Sequence, residues 1–381
     1  MNHLHVIDAN CSWVRSLAEA MPPGWRIRHY RIYNPLWLPR GWRDLSRLFR
    51  TRKLDERIEE IYLVTPGWRR FNWISSLILS ACLPALRASD PSKHLILFTF
   101  PFYSKVAERV RRIAPATRLA YWAHDAFAFY GFAPGYIENH EKRLVPLCDR
   151  CFAMAPLLVE DYTRQYPEYH FALLSDAVST AFLDHPEGHL PERIEKLRES
   201  GRTIVGCIGQ INGSYDWDLL EGASAANPAT EFVFIGNLFE EGDVTARIRR
   251  YFERPNVHWF GRVDHAELPN YLRGFDIYLN PLAVTEHNHR RDPLRIYDYL
   301  TTTVPIFSTD LDGVRMHRDH LRLFNEPSLL IKELGRKPAP LGEDELRQRR
   351  EYILANTWEA RARGFADSFL EIAGNYEAIS S

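Results

Sequence analysis

The chain has 381 residues, 45% of them hydrophobic and 25% charged, and a formal net charge of -1. This composition suits a globular protein of two domains and excludes a disordered or fibrous chain. Without a global excess of positive charge there is no general attraction to nucleic acid, and the five scattered cysteines suit a reducing compartment better than a disulfide framework.

The opening MNHLHVIDANC lacks a basic segment followed by a long apolar one, which argues against a secretory signal. The most apolar stretch, residues 73–86, is too short to span a bilayer. The expected location is cytoplasmic, with a peripheral place on the inner face of the membrane. Residues 3–7 read as a strand, and residues 8–12 turn into a helix over 13–20 that Asn10 or Ser12 is expected to cap.

Residues 25–53 are basic and aromatic. Arg26, Arg28, Arg31, Arg40, Arg43, Arg47, Arg50, Arg52 and Lys53 alternate with Trp25, Tyr30, Tyr33, Trp37, Trp42 and Phe49. Interleaved cations and rings suit an anionic membrane surface, where aromatic rings settle at headgroup depth. No groove-reading or single-strand-binding motif accompanies them, so no nucleic acid is expected.

Short apolar runs at 61–65, 95–99, 118–122, 151–154 and 171–174 alternate with helical patterns at 72–86, 103–113, 141–147 and 156–165. That alternation predicts an open α/β sheet. No GxGxxG follows the first strand, so a nicotinamide-binding domain is not supported. His124 and Asp125 stand just past a strand end, where a reacting group can be approached, and histidine titrates near physiological pH. Cys148 and Cys151 have CxxC spacing without a second ligand pair, and read as buried small residues at a helix-to-strand joint.

The polar, proline-containing residues 184–202 read as a domain boundary, after which the alternation restarts. Strands are expected at 204–208, 231–235, 257–260, 277–279 and 304–307, with helices at 216–226, 244–252 and 266–274 and another entered at Asp292-Pro293. Two such domains place a cleft between their C-terminal strand edges, a favoured ligand site. Gly209, at a strand end, lets backbone amides approach a phosphate. Arg290, Arg291 and Arg295 surround the helix start at Asp292-Pro293, and Asp298 follows on the same helix. Guanidinium groups at a helix N-terminus suit a diphosphate, and a carboxylate can accept hydrogen bonds from both ribose hydroxyls.

The segment VHWFGRVDHAELPNYLRGFDIYLNPLAVTEHNHRRDPLRIYDYLTTTVPIFSTD resembles the donor-domain signature of GT-B glycosyltransferases close to family 4, especially bacterial polysaccharide-assembly members. HEKRLVPLCDRCFAMA resembles their helix-to-strand entry, LLSDAVSTAFL their inter-domain segment, and Asn356 to Arg361 the start of their terminal helix. The resemblance implies two Rossmann-like domains facing across a cleft: residues 1–183 for the acceptor, residues 184–355 for a nucleotide-sugar donor, and a C-terminal helix, 356–381, crossing back to the first. It implies a hexosyltransferase-like reaction, retaining at the anomeric carbon, with a nucleotide-diphosphate sugar as co-substrate, a glycan or lipid-linked acceptor, and no cofactor or metal.

By this resemblance Asp298 falls on the ribose-binding acid, Arg295 on the basic residue of a motif that reads roughly PLKxxEYLAxGxPVV, and His124 or Asp125 on the loop facing the sugar. The chain also departs from the pattern. Eight residues before Asp298, where relatives carry an acid, it has Arg290. Gln210, with Asn212 and Ser214 nearby, replaces the basic residues that hold the diphosphate, so Arg290, Arg291 and Arg295 are expected to supply that charge. Thr301-Thr302-Thr303 stands where a small residue and a glycine are usual. These departures leave open a catalytically degenerate scaffold in a membrane-associated polysaccharide assembly complex.

Overall fold

The computed structural model describes residues 1–33, 51–66, 72–183, 188–239, 242–264 and 266–380. The chain forms two units. The first comprises Met1–Ser175 together with Trp358–Ser381, and the second Asp176–Thr357.

The first unit is built on the strands β1 (Asn2–Ile7), β2 (Trp25–Tyr33), β3 (Thr51–Lys53), β4 (Ile58–Val64), β5 (His94–Phe98), β6 (Arg118–Ala123), β7 (Arg150–Ala153) and β8 (Phe171–Leu173). They lie in the order β3-β4-β2-β1-β5-β6-β7-β8, parallel throughout except for β3. From β1 the chain runs outward to β2 on one side and later to β5 on the other. The turn after β1 is therefore the switch point of this sheet, where ligands bind in open α/β folds.

The second unit carries β9 (Thr203–Ile208), β10 (Thr230–Ile235), β11 (Val257–Trp259), β12 (Ile277–Asn280), β13 (Ile306–Thr309) and β14 (Arg322–Phe324). All are parallel, in the order β11-β10-β9-β12-β13-β14. Here the switch point is the turn after β9. Burial on both faces explains why these strands read as nearly unbroken apolar runs.

Several expectations shift. The basic and aromatic stretch begins with a full strand, β2, whose Trp25, Ile27 and Tyr30 are buried while Arg28 and Arg31 pair with Glu59 and Glu60 of β4. Residues 34–50 of that stretch lie outside the described residues. Neither Asn10 nor Ser12 caps the first helix, Ser12–Glu19; Cys11 occupies that position, and the Asn10 amide donates instead to Asp8 Oδ1 and the Ile32 carbonyl. A helix, Glu192–Glu199, forms within the expected boundary segment. Residues 176–183 cluster with the second unit, tied there by the Val178 N–H to the Asn356 carbonyl and the Asp176 N–H to the Asp292 carboxylate.

The last helix, Trp358–Ser380, belongs to the first unit. Phe365 and Phe369 pack against Phe152 of β7, and the Arg118 and Arg150 side chains donate to the Phe369 and Ser368 carbonyls. The CxxC pair is structural: Cys151 is buried, the Cys148 thiol donates to the Leu144 carbonyl, and burial pushes its ionisation well up.

Candidate functional site

In the second unit β9 ends in Gly209 at a φ of +110°, a conformation open to glycine and strained for other residues. β10 ends likewise in Gly236 at +147°, and a Cβ there would stand 1.9 Å from the Gly209 carbonyl oxygen. Two strand ends thus pass at backbone contact, and the loops beyond them stay thin.

The helix Leu294–Leu300 brings Arg295 beneath this turn. Its guanidinium would lie 3.3 Å from a Cβ on Gly209. Nη1 donates to the Tyr215 hydroxyl at 2.9 Å and to Cys207 Sγ at 3.7 Å, and the group stacks 4.8 Å from the Tyr215 ring centre. Nε and Nη2 have no protein partner among the described residues. Another member of the helix, Tyr299, accepts the Ile208 N–H with its hydroxyl and so locks the helix to the end of β9.

Asp298 is 8% exposed and its carboxylate has no hydrogen-bond partner among the described residues. Burial pushes its pKa up to about 7. An unpaired carboxylate in a largely buried position is a strong acceptor awaiting donors.

Asp292, at the helix start, is a core residue: Oδ2 accepts from the Tyr297 hydroxyl and the Asp176 N–H, and Oδ1 lies 3.0 Å from His317 Nε2. Arg290 is drawn back onto Glu286, of the short helix Glu286–His289, through its carbonyl and carboxylate. Arg291 is half-buried, and its carbonyl lies 1.9 Å from where a Cβ on Gly313 would be. Gln210 is exposed beside Gly209. Of the expected phosphate-binding set, the structure therefore brings Gly209 and Arg295 into contact and gives Arg290 an acidic partner of its own. The loops after β9 and β12 are stitched together by Asn288, whose amide donates to the Ser214 and Ala283 carbonyls.

In the first unit the turn after β1 passes through Asp8 at a φ of +64°. Its carboxylate accepts from the Tyr103 hydroxyl and the Asn10 amide, both at 2.6 Å, and burial raises its pKa to about 6. His124, after β6, is boxed by ring edges of Trp13, Phe100, Trp122 and Phe127 at 5.1–5.9 Å. Both its ring nitrogens are buried without a side-chain partner among the described residues, and burial lowers its pKa to about 4, so the ring is neutral at pH 7. Asp125 accepts the Ala126 N–H and the Tyr130 hydroxyl and so shapes its loop.

Asp8, Tyr103 and Tyr215 were not singled out from the sequence. Nothing at the level of spacing ties Tyr215 to Arg295, which lies 80 residues on. The positive φ of Asp8 has a weak signal in the Asp-Ala-Asn turn.

No protein-family model matches the chain. Over 108 residues it is 29% identical to a Bacillus subtilis (strain 168) protein named for teichuronic acid biosynthesis as glycosyltransferase TuaH, a match covering 28% of this chain and 27% of that protein. The shared stretch is thus about a quarter of the relative's length. Solved structures match almost end to end. Sucrose-phosphate synthase from Thermosynechococcus elongatus superposes with a TM-score of 0.68 at 12% identity, over 98% of this chain and 100% of that one. The E. coli trehalose-6-phosphate protein bound with UDP-2-fluoro glucose gives 0.70 at 12% identity, over 97% and 99%. A glycosyltransferase from Rickettsia africae ESF-5 gives 0.68 at 13% identity, over 98% and 99%. The fold is GT-B. At such identities the likeness carries the architecture alone, and the chemistry of this GT-B chain has to come from its own side chains.

Proposed function

We propose that the chain is a glycosyltransferase that moves a sugar from a nucleotide-diphosphate donor to a glycan or lipid-linked acceptor, with retention and without a metal. The observation that carries the reading is Arg295 beneath Gly209: a guanidinium with two open donor positions, at a glycine turn, on the switch point of a parallel sheet. A diphosphate there gains charge-assisted hydrogen bonds from Arg295 and room against the Gly209 backbone. Asp298 then takes the ribose hydroxyls, which give its unpaired carboxylate the donors it lacks. Charge develops on the leaving diphosphate as the glycosidic bond breaks, and a cation already in place stabilises it without reorganisation.

The donor class is supported by the E. coli structure bound with UDP-2-fluoro glucose, and an acceptor in polysaccharide assembly by the relative named for teichuronic acid biosynthesis. His124 and Asp125 belong on the acceptor side in this reading, with His124 a neutral ring that positions and Asp125 a carboxylate that holds the loop.

The reading includes a peripheral place on the inner face of an anionic membrane. Among the described residues no helix is long and apolar enough to cross a bilayer. The helix Asn72–Cys82 nevertheless turns Asn72, Ser75, Ser76 and Ser80 inward and Trp73, Leu77 and Ala81 outward. Lys105, Arg109 and Arg112, with Glu108 the one acid of the lining, flank that apolar ridge across a groove of about 450 Å³. Apolar rings beside cations suit an anionic headgroup layer.

A non-catalytic scaffold is the competing reading, favoured by Arg290 standing where relatives have an acid and being paired with Glu286. Thermal-shift measurements with nucleoside diphosphates and nucleotide sugars separate the two, because a ligand bound to the native state raises its melting temperature. The transferase reading expects a rise with one donor nucleotide; no rise with any donor would favour the scaffold. Co-sedimentation with anionic against neutral liposomes tests the membrane face, and equal binding to both would remove the electrostatic argument.

A further inference from the structure

The first unit has a second cavity, at the opposite end of its strands from the loops described above. His3 and His5 of β1, Arg28 of β2 and His94 of β5 lie on one face near the strand starts, where His3 pairs in register with His94. Further along the same face the residues are apolar, with Ile7, Ile96 and Phe98 in the core. Polar side chains at the beginning of buried strands require a reason. His3, Arg28 and His94 border a cavity of about 560 Å³ that Arg87 and Lys93 also line, a volume within the roughly 300–1,000 Å³ usual for small-molecule sites.

The hydrogen bonds fix which atom His94 presents. The Tyr30 hydroxyl has one proton and donates it to the Cys82 carbonyl, so it must accept from His5 Nδ1. His5, neutral because burial holds its pKa well below the usual value, is left with a bare Nε2, which accepts from His94 Nδ1 at 2.9 Å. His94 is also neutral, its pKa lowered to about 4 by burial first and then by His3 and Arg28. The one nitrogen it has left for the cavity is an unprotonated Nε2, an acceptor with no protein partner among the described residues. His94 itself is 7% exposed.

The surrounding charge has the other sign. Arg28 gives Nε to Glu59 and keeps its two terminal nitrogens without a partner among the described residues. Arg87 is exposed at the rim, and Lys93 pairs with the one acid of the lining, Asp90. The stacked His3 and His94 rings, 4.6 Å apart and 9° from parallel, add no charge while neutral. The cavity therefore offers cations for an anion and, at its inner wall, an acceptor that an anion alone cannot satisfy.

We propose that this cavity binds a small phosphorylated polyol, its phosphate on Arg28 and Arg87 and a hydroxyl donated to His94 Nε2. The site is separate from the donor site and does not depend on transferase activity. Sulfate carries the charge without a proton to donate, and glycerol carries hydroxyls without the charge, so the two isolate the halves of the recognition.

Calorimetric titration of the full chain with glycerol 3-phosphate tests it. The expected result is saturable binding at least fivefold tighter than sulfate, with no saturation by glycerol. His94→Phe should bring glycerol 3-phosphate down to the affinity of sulfate. Arg87→Glu, on an exposed rim position that folding does not use, should weaken both anions at least tenfold, while Arg295→Ala leaves them unchanged. Absence of saturable binding in the millimolar range overturns the proposal. So does binding that survives Arg87→Glu, that is lost in Arg295→Ala, or that is no tighter for glycerol 3-phosphate than for sulfate.

Discussion

At the end of β1 the chain turns through Asp8 at a φ of +64°, and at the end of β9 through Gly209 at +110°. The two turns hold equivalent places, each at the switch point of a parallel sheet, and the backbone solves the same problem in both. The side chains around them differ. The first unit surrounds its turn with aromatic edges, a neutral histidine and a carboxylate satisfied by Tyr103 and Asn10. The second offers a guanidinium with open donors and a carboxylate with no partner among the described residues. An apolar wall around a neutral ring shapes a surface, whereas an unpaired charge at a glycine turn suits a ligand of complementary charge. The difference is what motivates the proposal that the nucleotide binds the second unit and that the first shapes recognition of whatever receives the sugar.

The largest expected effect concerns what holds the second loop. Asp292→Ala strips acceptors from the Tyr297 hydroxyl, the Asp176 N–H and His317 at once, and should cost about 3–5 kcal/mol of stability, read by denaturant unfolding. A loss under 1 kcal/mol would mean that packing, as in the first unit, holds this loop too. Next, Arg295→Ala should weaken nucleoside diphosphate binding about 10- to 100-fold by calorimetry, the weight of one or two charge-assisted hydrogen bonds. Unchanged affinity would erase the contrast between the two turns.

Acid should then affect the units differently. His29, His94 and His124 have pKa values lowered to about 4 by burial, and His5 is lowered as well, all in the first unit. As pH falls below 6.5 the unfolded chain takes up protons that these native rings refuse, and stability is lost down to about pH 4. Carboxylates raised by burial act oppositely, since the native state binds their protons first and gains stability as pH falls. Asp8 at about 6 and Glu141 at about 7 do so in the first unit, and Asp298 at about 7 in the second. Between pH 7 and 5, hydrogen exchange should accelerate in β1, β5 and β6 relative to β9 and β12, after correction for the intrinsic rate. Equal change in both sheets would contradict the burial of those histidines. The smallest effect is expected from His124→Phe. Its ring has no side-chain hydrogen-bond partner among the described residues, so stability should move by no more than about 1–2 kcal/mol, the scale of a size change in a packed core.

The architecture was largely legible in the sequence because strands buried on both faces read as apolar runs and alternate with helical periods. β2 was hidden because its arginines drew attention to charge, although Trp25, Ile27 and Tyr30 carry the pattern of a core strand. Arg295 and Asp298 could be named because one helix carries both. The rest of the site is assembled across the chain: Tyr215 reaches Arg295 over 80 residues, and the box around His124 draws rings from several separate elements. Arg290 shows the converse, since Glu286 four residues earlier was a readable partner that outweighed its place beside the helix start.

The placement of the last helix has a consequence for biosynthesis. The second unit is a continuous stretch, Asp176–Thr357, whereas the first lacks Phe365 and Phe369 until that whole stretch has been made. Domains emerging from the ribosome ordinarily fold from the N-terminus onward. Here the earlier-made unit has its described strands in hand once Leu173 is made, yet it must hold β7 unsealed through the translation of some two hundred further residues, while the later-made unit closes on one continuous stretch.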